Sequence, residues 1–270
     1  MTDLGGQYGV WRRGRDTDAA FARAVEGLGY GSLWLGGVTT DDLDRTDEML
    51  AATTGLVVAT GIVNIFTIEA KTAADWFRRV EGRFPGRVVL GVGTGHREAV
   101  GPRAATPYQA LVAYLDELQQ AGIPAERIVI AALGPRVLRL SRDRTGGAHP
   151  YLTTPEHTRT AREALGPDKL LVPEQHVALG YKTAVAREAV RPYLQLTNYR
   201  TNWLRSGFTE QDLADGGSDA FLDAVVALGS VDNVAARLRE HLDAGADQVL
   251  AQALGDTPLE DLTALARRLF

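Results

Sequence analysis

The chain has no cysteine in its 270 residues, which excludes a disulfide framework, a thiolate metal site and a catalytic thiol together. It also lacks a long apolar run: nothing approaches the roughly 18 residues needed to span a bilayer. The start, Met1 to Trp11, has neither the basic n-region nor the apolar h-region of a signal peptide. Positive charge is not in excess. With 29 Lys and Arg against 34 Asp and Glu the formal net charge is -5, and both signs are scattered along the chain. There is therefore no basic face for nucleic acid and no polybasic segment for anionic lipid. No linker, low-complexity tract or repeat divides the sequence. These absences lead us to expect one domain over residues 1–270, in the cytoplasm, whose partner is a small molecule rather than nucleic acid or membrane.

What is present is apolar material in short parcels. Hydrophobic residues make up 45 % and charged residues 23 %, enough for a large core under a soluble surface. Short β-branched or apolar runs alternate with stretches of helical periodicity, the signature of βα units and a parallel sheet. The predicted strands are Gln7–Trp11, Ser32–Leu35, Leu56–Val63, Arg87–Val92, Ile128–Ala131, Ala148–Leu152, Leu170–Ala178 and Gln248–Ala253. Between them the periodicity predicts helices over Asp16–Leu28, Thr46–Thr54, Ala70–Phe84, Pro107–Gln120, Pro135–Arg144, Pro155–Leu165 and Val231–Ala244. A long helical region is predicted over Ala184–Asn202 with further pieces up to Val226, and Leu259–Phe270 closes the chain. Thr106-Pro107 and Thr154-Pro155 read as N-caps followed by proline at the first helical position, and Thr257 and Glu260 have capping-box spacing. Gly29, Gly122, Gly166 and Gly245 fall where a left-handed residue closes a helix.

An open doubly wound sheet alternates in the same way but carries its phosphate-binding glycines after the first strand. Here that strand ends in Val10-Trp11-Arg12-Arg13-Gly14, and the glycine-rich turn follows the fourth strand instead. This favours a closed (β/α)8 barrel, whose ligands bind at the C-terminal ends of the strands.

Several strand ends carry candidate chemistry. Leu90-Gly91-Val92-Gly93-Thr94-Gly95-His96 dissolves from a buried strand into alternating glycines that let backbone approach a ring or phosphate. A tight turn without a ligand reads equally well from the glycines alone, and the spacing does not fit a dinucleotide fingerprint. His96 follows on the active face, with the side chain best suited to proton transfer near neutrality. Thr60-Gly61-Ile62-Val63-Asn64 places a glycine inside a β-branched run, pointing to a bulge with Asn64 as a polar contact. Tyr151, Thr153 and Thr154 lead into a helix N-terminus, a ready anion site, although Thr154 also serves as an ordinary N-cap. Trp11 and Trp34 end the first two strands, where an aromatic walls a ring-shaped ligand or fills core. Pro173-Glu174-Gln175-His176 interrupts an apolar strand, which Gln175 or Glu174 pointing into the mouth would explain. His149, His157, His176 and His241 show no metal-binding spacing, so no metal centre is expected.

Taken in order, these segments resemble the luciferase-like monooxygenase superfamily, and within it the branch that uses the 5-deazaflavin coenzyme F420. The resemblance runs through Gly9-Val10-Trp11, Gly31-Ser32-Leu33-Trp34-Leu35, Ala59 to Asn64, Gly86 to His96, Ala131 to Pro135, Gly147 to Tyr151, Gly217-Ser218-Asp219 and Ala244 to Asp247. It implies a (β/α)8 TIM barrel with a non-proline cis peptide at the third-strand bulge, here Gly61-Ile62. It implies coenzyme contacts at Asn64, Gly93, Thr94 and Gly95, and a phosphate-bearing tail running toward Tyr151, Thr153 and Thr154. It also implies hydride transfer to or from a small organic substrate, with His96 standing where some relatives keep a glutamate proton acceptor, and a homodimer. Trp11, Trp34 and Gln175 are the candidates facing substrate. Where relatives often keep an aspartate or histidine after the second strand, this sequence has Leu35-Gly36-Gly37-Val38. That departure leaves two alternatives beside the first: an FMN-dependent monooxygenase, and a barrel that binds coenzyme without turnover. The loops expected to choose the substrate are Gly36–Arg45, Arg97–Thr106 and Tyr181–Gly217.

Overall fold

The computed structural model describes residues 2–96, 106–180 and 182–270. Its strands, numbered in chain order, are β1 Tyr8–Arg13, β2 Ser32–Gly36, β3 Val57–Thr60, β4 Val63–Asn64, β5 Val88–Gly93, β6 Ile128–Ile130, β7 Gly147–Ala148, β8 Leu170–Leu171, β9 Glu174–Leu179, β10 Val226–Gly229 and β11 Val249–Ala253. All pair in parallel within one sheet.

The sheet closes on itself. β8 and β9 are halves of one strand bent at Pro173. On one side Val172 N–H donates to Ala148 O and Glu174 N–H to Pro150 O, both at 2.9 Å; on the other, Leu250 N–H donates to Pro173 O at 3.0 Å. β11 then pairs β1 with Tyr8 opposite Val249. Eight barrel staves result, in chain order: β1, β2, β3/β4, β5, β6, β7, β8/β9 and β11. β10 is an addition, lying parallel against the far half of β9 with Val226 opposite His176. The sequence reading gives residues up to Val226 as helix and does not include this strand. The helix Asp219–Val225 passes straight into it, with Val226 as C-cap and no turn residue between.

Side chains alternate across the barrel wall. The outward set meets the helices in the main core, with Leu33, Leu35, Val58, Leu90 and Ile130 all below 1 % exposure. The inward set is Trp11, Trp34, Ala59, Val89, Val129, Val172 and Leu250, a filled interior rather than a pore. Its floor is polar and satisfied. Trp34 Nε1 donates to Ser32 Oγ at 3.0 Å, Ser32 Oγ to Gln248 Oε1 at 2.5 Å, and Gln248 Nε2 to the carbonyls of Leu4 and Gly6.

Several element boundaries differ from expectation. The helix predicted at Thr46–Thr54 begins earlier, at Thr40–Ala51, because Thr39 and Asp42 form a reciprocal capping box. The box expected between Thr257 and Glu260 is absent; Thr257 makes no side-chain cap, and Pro258 opens that helix. The long region after β9 breaks at Pro192 into Thr183–Val190, a 3-10 turn Tyr193–Gln195 and Thr197–Arg205, since proline cannot donate to the preceding turn. The substrate loop expected at Arg97–Thr106 falls almost wholly outside the described residues.

Candidate active site at the barrel mouth

The third stave breaks where the sequence places its glycine. The Gly61-Ile62 peptide bond is cis, separating β3 from β4. Thr60 bridges the gap: its hydroxyl donates to Gly91 O and accepts Gly91 N–H, both at 2.8 Å. Beyond the break Asn64 lies under the glycine turn. Gly95 sits at φ +60, and a Cβ there would stand 2.4 Å from Asn64 Nδ2; one on Gly93 would meet the Ala131 methyl at 2.9 Å and Ile62 Cγ1 at 3.2 Å. Gly61, Ile62, Asn64, Gly93, Thr94 and Gly95 are thus brought together, with Gly95 in a conformation that L side chains rarely adopt.

Trp11 floors the mouth. Its Nε1 donates to Gly61 O at 3.0 Å, and its six-membered ring lies where a side chain at Gly36 would be: a Cβ on Gly36 would come within 1.8 Å of Trp11 Cζ2. The place after the second strand, where the resemblance leads us to expect an aspartate or histidine, is therefore filled by indole. Trp34 is fully buried one layer lower, its ring 4.7 Å from that of His149. It fills core and does not wall the mouth. Gln175 also departs from expectation, because on an alternating strand it takes the outer face. Its amide donates to Val225 O and His176 O, and its Oε1 accepts from His241 Nε2 at 2.9 Å. Gln175 is removed from the substrate-facing set.

The wall opposite Trp11 is aromatic. Tyr151 packs 5.1 Å from Trp11 and 5.6 Å from Tyr193, with Tyr199 5.0 Å beyond Tyr193. Tyr151 OH donates to Gln252 Oε1 at 2.9 Å, so the 3.0 Å contact between phenols is Tyr193 donating to Tyr151. Burial pushes Tyr151 and Tyr199 well above the usual phenol pKa, reinforced by neighbouring Tyr193 and Glu174, and burial likewise raises Tyr193. All three are neutral donors. His96 is half-buried beside this group, 5.6 Å from Tyr199 and 6.2 Å from Tyr193.

Between β7 and the first turn of the helix Pro155–Leu165, three buried polar atoms lack a hydrogen-bond partner among the described residues: His149 Nε2, Thr153 Oγ1 and His157 Nδ1. Thr154 is occupied as the N-cap of Pro155–Leu165, accepting His157 N–H. Tautomers follow from the filled nitrogens. His149 Nδ1 donates to Val172 O at 2.7 Å, and His157 Nε2 donates to Leu133 O at 2.8 Å, so both unmet nitrogens are acceptors in the neutral rings. Burial lowers His149 to about 4, and burial with the Arg205 charge nearby lowers His157. Arg205 reaches the start of the adjacent helix Pro135–Arg144, its Nη1 3.5 Å from where a Cβ on the N-cap Gly134 would lie.

Glu174, named beside Gln175 as a residue pointing into the mouth, is the one of the two that lies on the inner face, and His176, Tyr193, Tyr199, Gln252 and Arg205 join it without having been singled out as site residues from sequence. For Glu174 and His176 a signal existed, since a period of two puts both on one strand face.

No family model matches this chain, and no curated protein matches it. Among solved structures it is similar to an F420-dependent secondary alcohol dehydrogenase in complex with an F420-acetone adduct, at 14 % identity over 98 % of both chains with a TM-score of 0.73. It is also similar to the coenzyme F420 dependent tetrahydromethanopterin reductase from Methanopyrus kandleri, at 14 % identity over 97 % of both and TM-score 0.69. A third is the oxygenating constituent of 3,6-diketocamphane monooxygenase from Pseudomonas putida in complex with FMN, at 12 % identity over 98 % of both and TM-score 0.68. At these identities the likeness establishes the fold: a (β/α)8 barrel of the luciferase-like type.

Proposed function

We propose that this chain is an oxidoreductase that holds coenzyme F420 across its barrel mouth and moves a hydride between it and a small organic substrate. The observation that carries the reading is the row of unmet polar atoms at His149, Thr153 and His157. Nearly all buried polar atoms in native proteins are hydrogen-bonded. A row of unmet ones on the face where barrels bind ligands supports an elongated polar ligand lying there. The residues fit a deazaflavin. His149 Nε2 would accept a ring N–H, while the cis bond at Gly61-Ile62, with Asn64, Gly93, Thr94 and Gly95, would back the ring. The Thr153 hydroxyl, the Glu156 N–H at the start of Pro155–Leu165 and the Arg205 guanidinium would hold an anionic tail that passes Tyr151 and Thr154.

When bound, a deazaflavin supplies a two-electron hydride donor or acceptor at a ring carbon. Trp11 and the tyrosines exclude water and leave an apolar place for the substrate. His96, after the glycine turn, handles the proton that accompanies the hydride. The reading carries with it a homodimer in the cytoplasm; among the described residues no helix is long and apolar enough to cross a membrane.

An FMN-dependent monooxygenase is the second reading, favoured by the FMN complex among the similar structures and by Gly36, where no acid–base residue stands. Titration of the purified protein with F420 and FMN in turn, followed by turnover across alcohols, aldehydes and ketones, separates the readings. Tight F420 binding with hydride exchange is expected. FMN binding with oxygen-dependent turnover supports the second reading, and binding without turnover supports a barrel that only carries coenzyme.

A further inference from the structure

β9 carries an acid and an imidazole into the barrel interior together. Glu174 is fully buried and His176 is 1 % exposed, and such groups require partners. Each has found the other: His176 Nδ1 donates to Glu174 Oε1 at 2.7 Å, and Glu174 Oε2 accepts Leu152 N–H at 3.0 Å. Leu152 stands at φ 54, a conformation an L residue rarely adopts, which turns its N–H to the carboxylate. The carboxylate thereby fixes the imidazole through one nitrogen and leaves Nε2 as the working one, the arrangement that sets tautomer and orientation in a general-base histidine. The ring lies nearly perpendicular to Tyr151 at 5.4 Å and to Tyr193 at 6.3 Å. His96 stands 6.2 Å from the same Tyr193 ring, so two imidazoles border one phenol.

We propose that His176 is a second proton-exchanging group of the mouth, with Glu174 as its positioning residue. The proposal rests on the hydride-transfer reading. In the oxidative direction a deazaflavin held at the mouth would accept the substrate's hydride, the C–H electron pair together with its hydrogen. The neighbouring O–H or N–H bond breaks, its electron pair forms the C=O or C=N bond, and its proton passes to His176 Nε2. His96, half-exposed, returns that proton to solvent. The reductive direction reverses each transfer. The groups facing His176 are Glu174 on its own strand, Tyr151 from the segment after β7, Tyr193 and, behind it, Tyr199 from the excursion after β9, and Gln252 from β11. The Arg13 charge acts on Tyr193. The phenols remain protonated, which leaves His176 as the base.

Nitrogen-resolved imidazole NMR of the coenzyme-free protein tests the dyad apart from activity. His176 is expected with its proton on Nδ1, and Glu174→Gln is expected to release that preference and move proton population to Nε2. Glu174→Gln should lower kcat with F420 by about tenfold or more while F420 affinity holds, a split that a merely structural role would not give. His176→Gln should lower kcat by about 10²–10⁴-fold while F420 affinity changes by less than about threefold. A proton on Nε2 in the wild-type protein, full turnover in His176→Gln, or an Nδ1 proton that Glu174→Gln leaves in place overturns the proposal and leaves the coenzyme reading standing. Failure of the wild-type protein to bind F420 overturns both.

Discussion

His241 is fully buried between the helices and β9, and both its nitrogens are committed. The Thr158 hydroxyl donates to Nδ1 at 2.7 Å, and Nε2 donates to Gln175 Oε1. An added proton would meet a donor, and burial with the nearby Arg237 charge lowers its pKa to about 3. His149 is lowered to about 4, mainly by burial. In the unfolded chain both titrate near 6.5. Between pH 6.5 and about 4 the unfolded state therefore binds more protons than the native one, and stability falls as pH falls through that window. Each histidine contributes at most about 1.4 kcal/mol per pH unit. Urea unfolding should show a midpoint level above pH 7 that drops below 6.5, with a shallower slope in His241→Gln; a flat midpoint down to pH 4.5 would contradict the assignment. His157 makes a second prediction. Its pKa is low in the free protein, and an anionic tail at Nδ1 would favour the protonated ring. Calorimetry of F420 binding in buffers of different ionisation enthalpy should report proton uptake near pH 7, and uptake should vanish in His157→Asn. Binding without proton uptake removes His157 from the tail site.

At the scale of elements, β1 and β2 are fitted to one another through Trp11 and Gly36. Adding a methyl at Gly36 forces the indole out of its place against Gly61. Overpacking of this kind costs about 1–3 kcal/mol. Gly36→Ala should lose stability in that range by urea unfolding, and the loss should shrink in the Trp11→Ala background; equal losses in both backgrounds would show that the two residues are not coupled. Trp11 also explains why the second strand can end in glycines, which sequence alone presents only as a missing acid. Strand and helix alternation was legible because β-branched parcels and helical stripes have different periods, and the third-strand break was legible because Gly61 interrupts such a parcel. β10 was not, since Val225 and Val226 sit at a helix-to-strand join without a turn residue. The face of Gln175 was misread although the parity of Glu174, Gln175 and His176 decides it. Tyr193 and Tyr199 reach the mouth from a long excursion after β9, a return set by tertiary packing and invisible to local pattern.

For the whole molecule, closure of the sheet brings residues from distant parts of the chain to one rim: Trp11, Gly61, His96, His149, Glu174, His176 and Gln252. The unmet atoms between β7 and the first turn of the helix Pro155–Leu165 and the glycine turn after β5 lie on that rim, and the account stands on their answering to one ligand. Isothermal titration of F420 into the wild-type protein and into Thr153→Val and His149→Phe tests this most directly. Saturable binding at one coenzyme per chain is predicted, weakened about tenfold or more by each substitution, since a lost hydrogen bond to a charged or buried partner is worth about 1.5–3 kcal/mol. Binding that is indifferent to both substitutions, or no binding of F420 at millimolar concentration, would contradict the account.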